Sequence, residues 1–397
     1  MLDLAVIASQ IRNFTQDQVA ALPLMQDALR LAQTRLRETQ NRKTELAARI
    51  QSSRTSWLVA RLREEPSLVV SAPSVPEIHT VFASDSSQIV TDRHEIALCY
   101  LLNVGLITIH YCPDAQAVLT SRPILAHPDE SLLDDFPQET AAISPRRLGI
   151  RRQLCEFEAL AELAEAQDPE IPAVALFDGS LILWQLDTET PQFRKDTLDA
   201  LTAYWEAFRE CRVPVAGYIS LPGSRDVLNA LRVSVCPHPH SRCEEYCPDS
   251  VKRHVEYIAP PCAGTERITD EELFALVLQP GQRSAVFESS TKILETYQES
   301  QKIGFFYLHT GFEIARVEIP RWVADDPELL NRTHALCLDQ AYKGNGYPVA
   351  LAEAHEQAMI RGPERDVFFY LMECRMAEFG LPVRTTRKAL SKRARRV

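Results

Sequence analysis

Two short apolar runs each end in an aspartate followed at once by small residues: Val81-Phe82-Ala83-Ser84-Asp85-Ser86-Ser87 and Val174-Ala175-Leu176-Phe177-Asp178-Gly179-Ser180. Each run reads as a buried strand, and the small residues read as the turn leaving it. Asp-Ser and Asp-Gly are also ordinary turn sequences, so one copy alone signals little. Two such strands side by side would carry two carboxylates to one place. Carboxylates on rigid strands suit Mg²⁺ or Mn²⁺, which take oxygen ligands and keep positions open for water and phosphate. Two such ions about 4 Å apart stabilise both the attacking and the leaving oxygen of an in-line displacement at phosphorus.

A second string adds an imidazole and a phenol. Tyr347-Pro348-Val349-Ala350-Leu351-Ala352-Glu353-Ala354-His355 follows the glycine-bearing Lys343-Gly344-Asn345-Gly346. Proline suits a first helical turn, so a helix is expected from Pro348. His355 lies four residues from both Leu351 and Met359, which predicts that it faces inward. Tyr347 is expected at the helix start, beside a glycine-flanked loop, where a phenol could reach a phosphate or a metal-bound water.

The elements that must position these groups are legible in outline. Residues 1–65 are rich in Ala, Leu, Gln, Arg and Glu, with apolar residues at Leu22, Met25, Leu29, Leu31 and Leu36, and read as a helical hairpin joined near Pro23. Pro66 to Pro76 reads as a linker. An α/β domain is expected over 77–380, with a strand over Ile96 to Tyr111 pairing with the Asp85 strand, and a loop over Pro123 to Pro145. A helix over Arg146 to Gln167, another over Asp196 to Arg212, a strand over Val213 to Ser220 and later strands near Ala285, Ile303 and Ile314 complete an α/β order with a mixed sheet. Two helices broken near Gly362-Pro363 close the domain, and 381–397 forms a basic tail with Arg384, Arg387, Lys388, Lys392, Arg393, Arg395 and Arg396.

The chain has 397 residues with 45% hydrophobic and 24% charged, enough to bury a large core. It holds no uncharged apolar stretch of about 20 residues, and Leu2-Asp3-Leu4 lacks the basic start of a secretory signal, so a cytoplasmic location is expected. A net charge of −11 argues against general adhesion to nucleic acid; contact with DNA must be local or supplied by a partner.

Ten cysteines without a signal segment read as thiols or metal ligands rather than disulfides. Over 236–262, Cys236-Pro237-His238-Pro239-His240-Ser241-Arg242-Cys243-Glu244-Glu245-Tyr246-Cys247 precedes His254 and Cys262. Cys236, Cys243, Cys247 and Cys262 form the set expected for a structural Zn²⁺ or an iron–sulfur cluster. The Cys243–Cys247 spacing fits zinc, whereas Cys236–Cys243 is wider than a two-knuckle site, and a proline-rich loop with free thiols is the competing reading.

The motifs resemble those of the NurA nuclease family: Ser84-Asp85-Ser86-Ser87-Gln88, Phe177-Asp178-Gly179-Ser180-Leu181, Gly217-Tyr218-Ile219-Ser220, and Gly346-Tyr347-Pro348 with His355 eight residues after the tyrosine. The likeness spans about Phe82 to Ile360. It implies an RNase H-like core, a Mn²⁺-dependent (or Mg²⁺-dependent) nuclease acting on DNA ends, a homodimer, and partnership with the hexameric ATPase HerA. Carried over, Asp85, Asp178 and His355 become metal ligands and Tyr347 orients phosphate or water. The family's helix glutamate falls on Glu156, with Glu158 in reserve and Glu162 on the same helix. Ser86 stands where the family commonly has glycine, which bears on activity rather than fold. The leading expectation is a metal-dependent DNA nuclease in repair or recombination. The alternatives are a catalytically inactive scaffold that docks a partner and an RNA-directed nuclease.

Overall fold

The computed structural model describes residues 3–91, 98–133, 143–247 and 260–381; His254 and the basic residues Arg384 to Arg396 lie outside them. In chain order, helices α1 (Leu4–Glu38) and α2 (Lys43–Ser52) precede strands β1 (Arg61–Leu62), β2 (Val69–Ser71), β3 (His79–Val90), β4 (Tyr100–Tyr111) and β5 (Gln116–Ala126). Next come α3 (Pro145–Glu165), β6 (Ala173–Asp178), α4 (Pro191–Glu210), β7 (Val215–Ile219), α5 (Asp226–Ser234), α6 (Cys243–Tyr246) and α7 (Asp270–Val277). The remainder comprises β8 (Gln282–Ser284), β9 (Phe287–Glu288), β10 (Ile303–His309), β11 (Ile314–Pro320), α8 (Arg321–Ala324), α9 (Pro327–Lys343), α10 (Val349–Ala358) and α11 (Gly362–Glu378). No helix among the described residues is long and apolar enough to cross a membrane.

The chain divides into two compact units, Met1–Ala72 with Ile219–Leu294 and Lys302–Glu318, and Pro73–Tyr218 with Glu295–Gln301 and Ile319–Val397. In the second, the sheet runs β7-β6-β3-β4-β5. β6 is parallel to β3 and to β7, while β3, β4 and β5 are antiparallel neighbours. This is a mixed, RNase H-like α/β arrangement. The strand β6 is apolar and buried from Ala173 through Phe177, as expected of a central parallel strand covered on both faces. Helix α3 packs on β3 from the face reached by Ser84 and Ser86, and α10 from the face reached by Asp85 and Ser87. That division follows from the two-residue period of a strand.

Three local expectations are corrected. Helix α1 runs through Pro23 without a break, and the hairpin turn falls between Glu38 and Lys43. Proline removes one interior hydrogen bond, but the Ala, Leu, Gln and Arg residues around it carry the helix on. Pro123 to Ala126 belong to β5 rather than to the expected loop; among the described residues β5 pairs only with β4, and an edge strand tolerates the missing donor. Asp85 lies within β3, which continues to Val90, so only Asp178 ends its strand.

The first unit is held by Ala28, Ala32 and Leu36 of α1 against Leu228 and Leu231 of α5, with Ile268 and Leu273. A second cluster joins Val227, Phe274, Phe287, Phe305 and Tyr307 around β9 and β10. Beneath it lies a buried polar set. Asp270 accepts from the amides of Val227 (2.9 Å) and Leu228 (2.8 Å) and from the Tyr307 hydroxyl (2.9 Å). Arg316 donates to Asp226 (3.1 Å) and Glu318 (3.0 Å).

Candidate active site

The register of β3 against β6 ends at Ser84 opposite Phe177, so Asp85 and Asp178 are the next residues on two adjacent parallel strands. Neighbouring strands lie about 4.8 Å apart, which brings the two carboxylates to one end of the sheet. Gly179, at φ +114°, turns the chain away immediately after Asp178. Its amide donates to the Tyr218 carbonyl (3.0 Å) on β7.

Helix α10 supplies the imidazole. His355 Nδ1 lies 2.7 Å from Asp85 Oδ2, a contact between residues 270 positions apart, while Asp85 Oδ1 accepts from the Ser86 amide at 2.7 Å. The approach depends on Gly105, directly opposite Asp85 on β4. A Cβ there would lie 2.4 Å from the Ala354 carbonyl oxygen and 2.6 Å from the Ala358 nitrogen, so any side chain would push α10 away. The helix end is fixed by Asn103 Nδ2, which donates to the carbonyls of Gln357 (3.1 Å) and Ala358 (3.0 Å), and by the Ser87 hydroxyl on Ala358. The expectation of an inward, buried His355 is corrected. The buried stripe of α10 is Ala350, Leu351, Ala354 and Ala358, and the His355 side chain is 61% exposed, facing the open side of the site from its bond to Asp85.

Tyr347 hydrogen-bonds Asp178, and its ring meets Tyr218 edge-on at 5.6 Å. The tip of Asp178 opens to solvent, yet the carboxyl is seated deeply enough for burial to raise its pKa. Asp85 adds to the rise, while Tyr347 and His355 work against it.

Glu156 comes from α3, behind β3. It is 3% exposed, and its carboxylate accepts from the Ser86 hydroxyl, itself 3% exposed. The Ser84 hydroxyl reaches the Glu156 carbonyl at 3.4 Å, and Arg152 donates to the Ser86 carbonyl at 2.8 Å. Burial pushes the Glu156 carboxyl up to about 8; Ser86 and Arg152 oppose the shift, and Asp85 and Asp178 reinforce it. The other glutamates of α3 turn elsewhere, because positions two apart on a helix face different sides. Glu158 meets Tyr204 of α4, and Glu162 meets Arg122 of β5 at 3.2 Å.

Asp85, Asp178, Tyr347 and His355 are thus brought to one side of the sheet, Glu156 lies behind β3 within electrostatic reach of Asp85 and Asp178, and Glu158 turns away. Residue-type reasoning missed Gly105, Asn103, Arg152 and the hydroxyl of Ser86. Only the glycine, set in an apolar and partly β-branched run, offered a signal. Among the described residues no three His, Cys, Asp or Glu side chains already converge to hold an ion. Of the expected thiol set, Cys243 lies within electrostatic reach of Cys236, Cys247 and Cys262, all in the first unit.

The mixed sheet thus carries acids on adjacent parallel strands, with a glutamate on the helix behind it and an imidazole from a later helix. The NurA domain matches residues 79–360, well over half of the chain, which therefore belongs to the NurA family of nucleases. None of the curated proteins matches it.

Proposed function

We propose that the chain is a divalent-metal-dependent deoxyribonuclease that trims DNA ends by phosphodiester hydrolysis, acting in the cytoplasm in repair or recombination. It would work as a homodimer with a HerA-type hexameric ATPase. The observation that carries this reading is the 2.7 Å contact between His355 and Asp85, two residues brought together only by the fold, beside Asp178 on the neighbouring strand.

The residues fit a hard cation. Asp85 and Asp178 offer anionic oxygens, and the charges of Asp85, Asp178 and Glu156 work against one another, a repulsion that added positive charge relieves. The chemistry that Mn²⁺ or Mg²⁺ would supply is neutralisation of phosphate charge and water of lowered pKa. Tyr347 holds Asp178 in orientation. His355, tied to Asp85 through Nδ1, keeps Nε2 on the far side of its ring to hold or pass a proton at the attacking water or the leaving oxygen. The net charge of −11 suits DNA delivered through a partner's channel rather than captured from solution.

The test is cleavage of labelled linear DNA with Mn²⁺, with and without a HerA-type ATPase. Degradation by the wild type and its loss in Asp178→Ala is the expected result. Cleavage persisting unchanged in the variant overturns the site. No cleavage by either protein under both conditions favours a scaffold, and preference for an RNA substrate redirects the reading.

A further inference from the structure

The turn that follows Asp178 carries an aromatic ring with no part in the chemistry above. Leu181, Ile182 and Leu183 are buried, and the chain then brings Trp184 to the surface, 40% exposed, at the start of a short 3-10 helix, Trp184–Thr188. The Ser180 hydroxyl accepts from the Trp184 indole N–H at 3.2 Å and from the Ile182 amide at 3.1 Å, so the polar edge of the ring is taken up inside the turn. An indole held by its one donor offers an apolar face in a fixed direction. Ser180 is two residues from Asp178, and two residues of chain span at most about 7 Å. The ring therefore stands next to the carboxylate that ends β6.

The turn is held from three sides. Gly217 on β7 lets it close, because a Cβ there would lie 2.5 Å from the Gly179 carbonyl oxygen and 3.0 Å from the Leu181 side chain. The buried Tyr297 hydroxyl accepts from the Leu183 amide at 3.0 Å. Arg194 of α4 donates to the carbonyls of Leu186 (3.0 Å), Asp187 (3.1 Å) and Glu189 (3.3 Å), which fixes the far end of the 3-10 helix. The charge here also differs from that of the whole chain. The buried Glu189 carboxylate faces two guanidiniums, Arg146 at 2.6 Å and Arg147 at 2.8 Å. With Arg194 and Asp187 included, three arginines stand against two acids, in a chain of net charge −11. An aromatic ring anchored at its edge, on a locally positive surface, is the combination that takes a base together with its phosphate.

We propose that Trp184 is a base-stacking platform that takes, face to face, an unpaired base of a DNA strand adjoining the scissile phosphate, and so places that strand for cleavage. The proposal rests on the nuclease reading for the identity of the ligand, since a strand engaged at Asp178 must pass the neighbouring turn. Stacking uses the π-face that every base has, so the platform tolerates any sequence. It favours a single-stranded or frayed end over a closed duplex, whose bases already stack on one another. Trp184 binds and carries no proton.

The test uses the full chain and its tryptophan fluorescence. Of the four tryptophans, Trp205 and Trp322 are buried and the half-buried Trp57 lies under the Arg232 guanidinium at 4.6 Å, which leaves Trp184 as the ring a base can reach. A short oligothymidylate with hydrolysis-resistant phosphorothioate links, added with Mg²⁺, should quench the wild-type emission, and a blunt duplex should quench it less. Trp184→Phe should lose the fluorescence response yet bind a labelled strand within a few-fold of wild type, because it keeps a ring. Trp184→Ala should bind about 5- to 100-fold more weakly, and on a cleavable single strand its KM should rise while kcat is kept. Should Trp184→Ala fail to fold, the comparison of wild type with Trp184→Phe decides. No quenching of the wild type, or a response retained in Trp184→Phe, overturns the platform. So does wild-type affinity for the strand in Trp184→Ala, including the case where that variant loses only its binding to an ATPase partner, which would make the ring part of a protein interface. Equal quenching by the blunt duplex overturns the preference for an unpaired end. Quenching without hydrolysis of an ordinary strand would remove the nuclease reading and leave the stacking in place, whereas hydrolysis without quenching removes the platform alone.

Discussion

The molecule carries two sets of acids, one fully buried and one opening to solvent, and they are balanced differently. In the first unit, Asp226 and Glu318 flank the buried Arg316, while Asp270 takes two main-chain amides and a phenol. Burial opposes the Arg316 charge, yet Glu318 and Asp226 raise its pKa overall. Asp270 is pushed up to about 7 by burial and by Asp226. In the second unit, Glu156 has the Ser86 hydroxyl, and the guanidinium of Arg152 is spent on the Ser86 carbonyl. Asp178 and Asp85 face Tyr347 and a solvent-open imidazole. The first set carries its own cation and donors and serves folding. The second has hydroxyls, one guanidinium and an imidazole around its acids at an open face, the arrangement the proposed cation site would use.

This contrast is broken most directly by removing one acid of the second set. Asp85→Asn should lower Mn²⁺-dependent DNA cleavage by roughly 10²–10³-fold, the scale of losing one preorganised electrostatic contact, with far-UV circular dichroism unchanged. Retained activity would move the chemistry elsewhere. Arg316→Met should do the opposite. It leaves Asp226 and Glu318 buried without their partner and should cost about 3–5 kcal/mol in urea unfolding, with no direct effect on metal binding at the second unit.

Glu156→Gln separates stability from function at a single residue. The folded Glu156 carboxyl titrates at about 8 against an ordinary 4.5, so the folded protein holds a proton that the unfolded chain has released between these values. Stability without divalent metal should therefore fall as pH rises through that window and level off above it. The glutamine variant should lack this part of the slope and melt a few degrees higher than wild type at pH 8, while losing Mn²⁺ affinity measured by calorimetry. An unchanged slope would remove Glu156 from the account.

The smallest effect is expected at Ser86. Its hydroxyl holds the Glu156 carboxylate on the far side of β3 from Asp85. Ser86→Gly should free that carboxylate and tighten Mn²⁺ binding a few-fold, the scale of one net hydrogen bond. Weaker binding would instead make the serine a support for the glutamate. Serine in place of the family's glycine is thus accommodated by a specific contact, and β3 remains regular through the position.

Much of this was open to a reading of local pattern. The apolar runs ending in Asp85 and Asp178 mark strands, the proline after Tyr347 marks a helix start, and the eight-residue step to His355 follows from that helix. Each rests on backbone periodicity over a few residues, which sequence carries directly. The mid-strand place of Asp85 and the open-side place of His355 are not legible in it, because strand length and helix phase depend on what packs alongside. Glu156 stands ahead of Glu158 only through the family resemblance, for the same reason: the seating of α3 on β3 turns one toward Ser86 and the other toward Tyr204.

The sequence by itself determined the chemical inventory: which acids, imidazole, phenol and thiols exist, and which lie on strands or helices. The tertiary structure alone decided which of them meet. The pairing of β3 with β6 and the crossing of α10 over Gly105 join residues far apart in the chain. Such contacts are selected by the packing of whole elements, which no short window of sequence encodes.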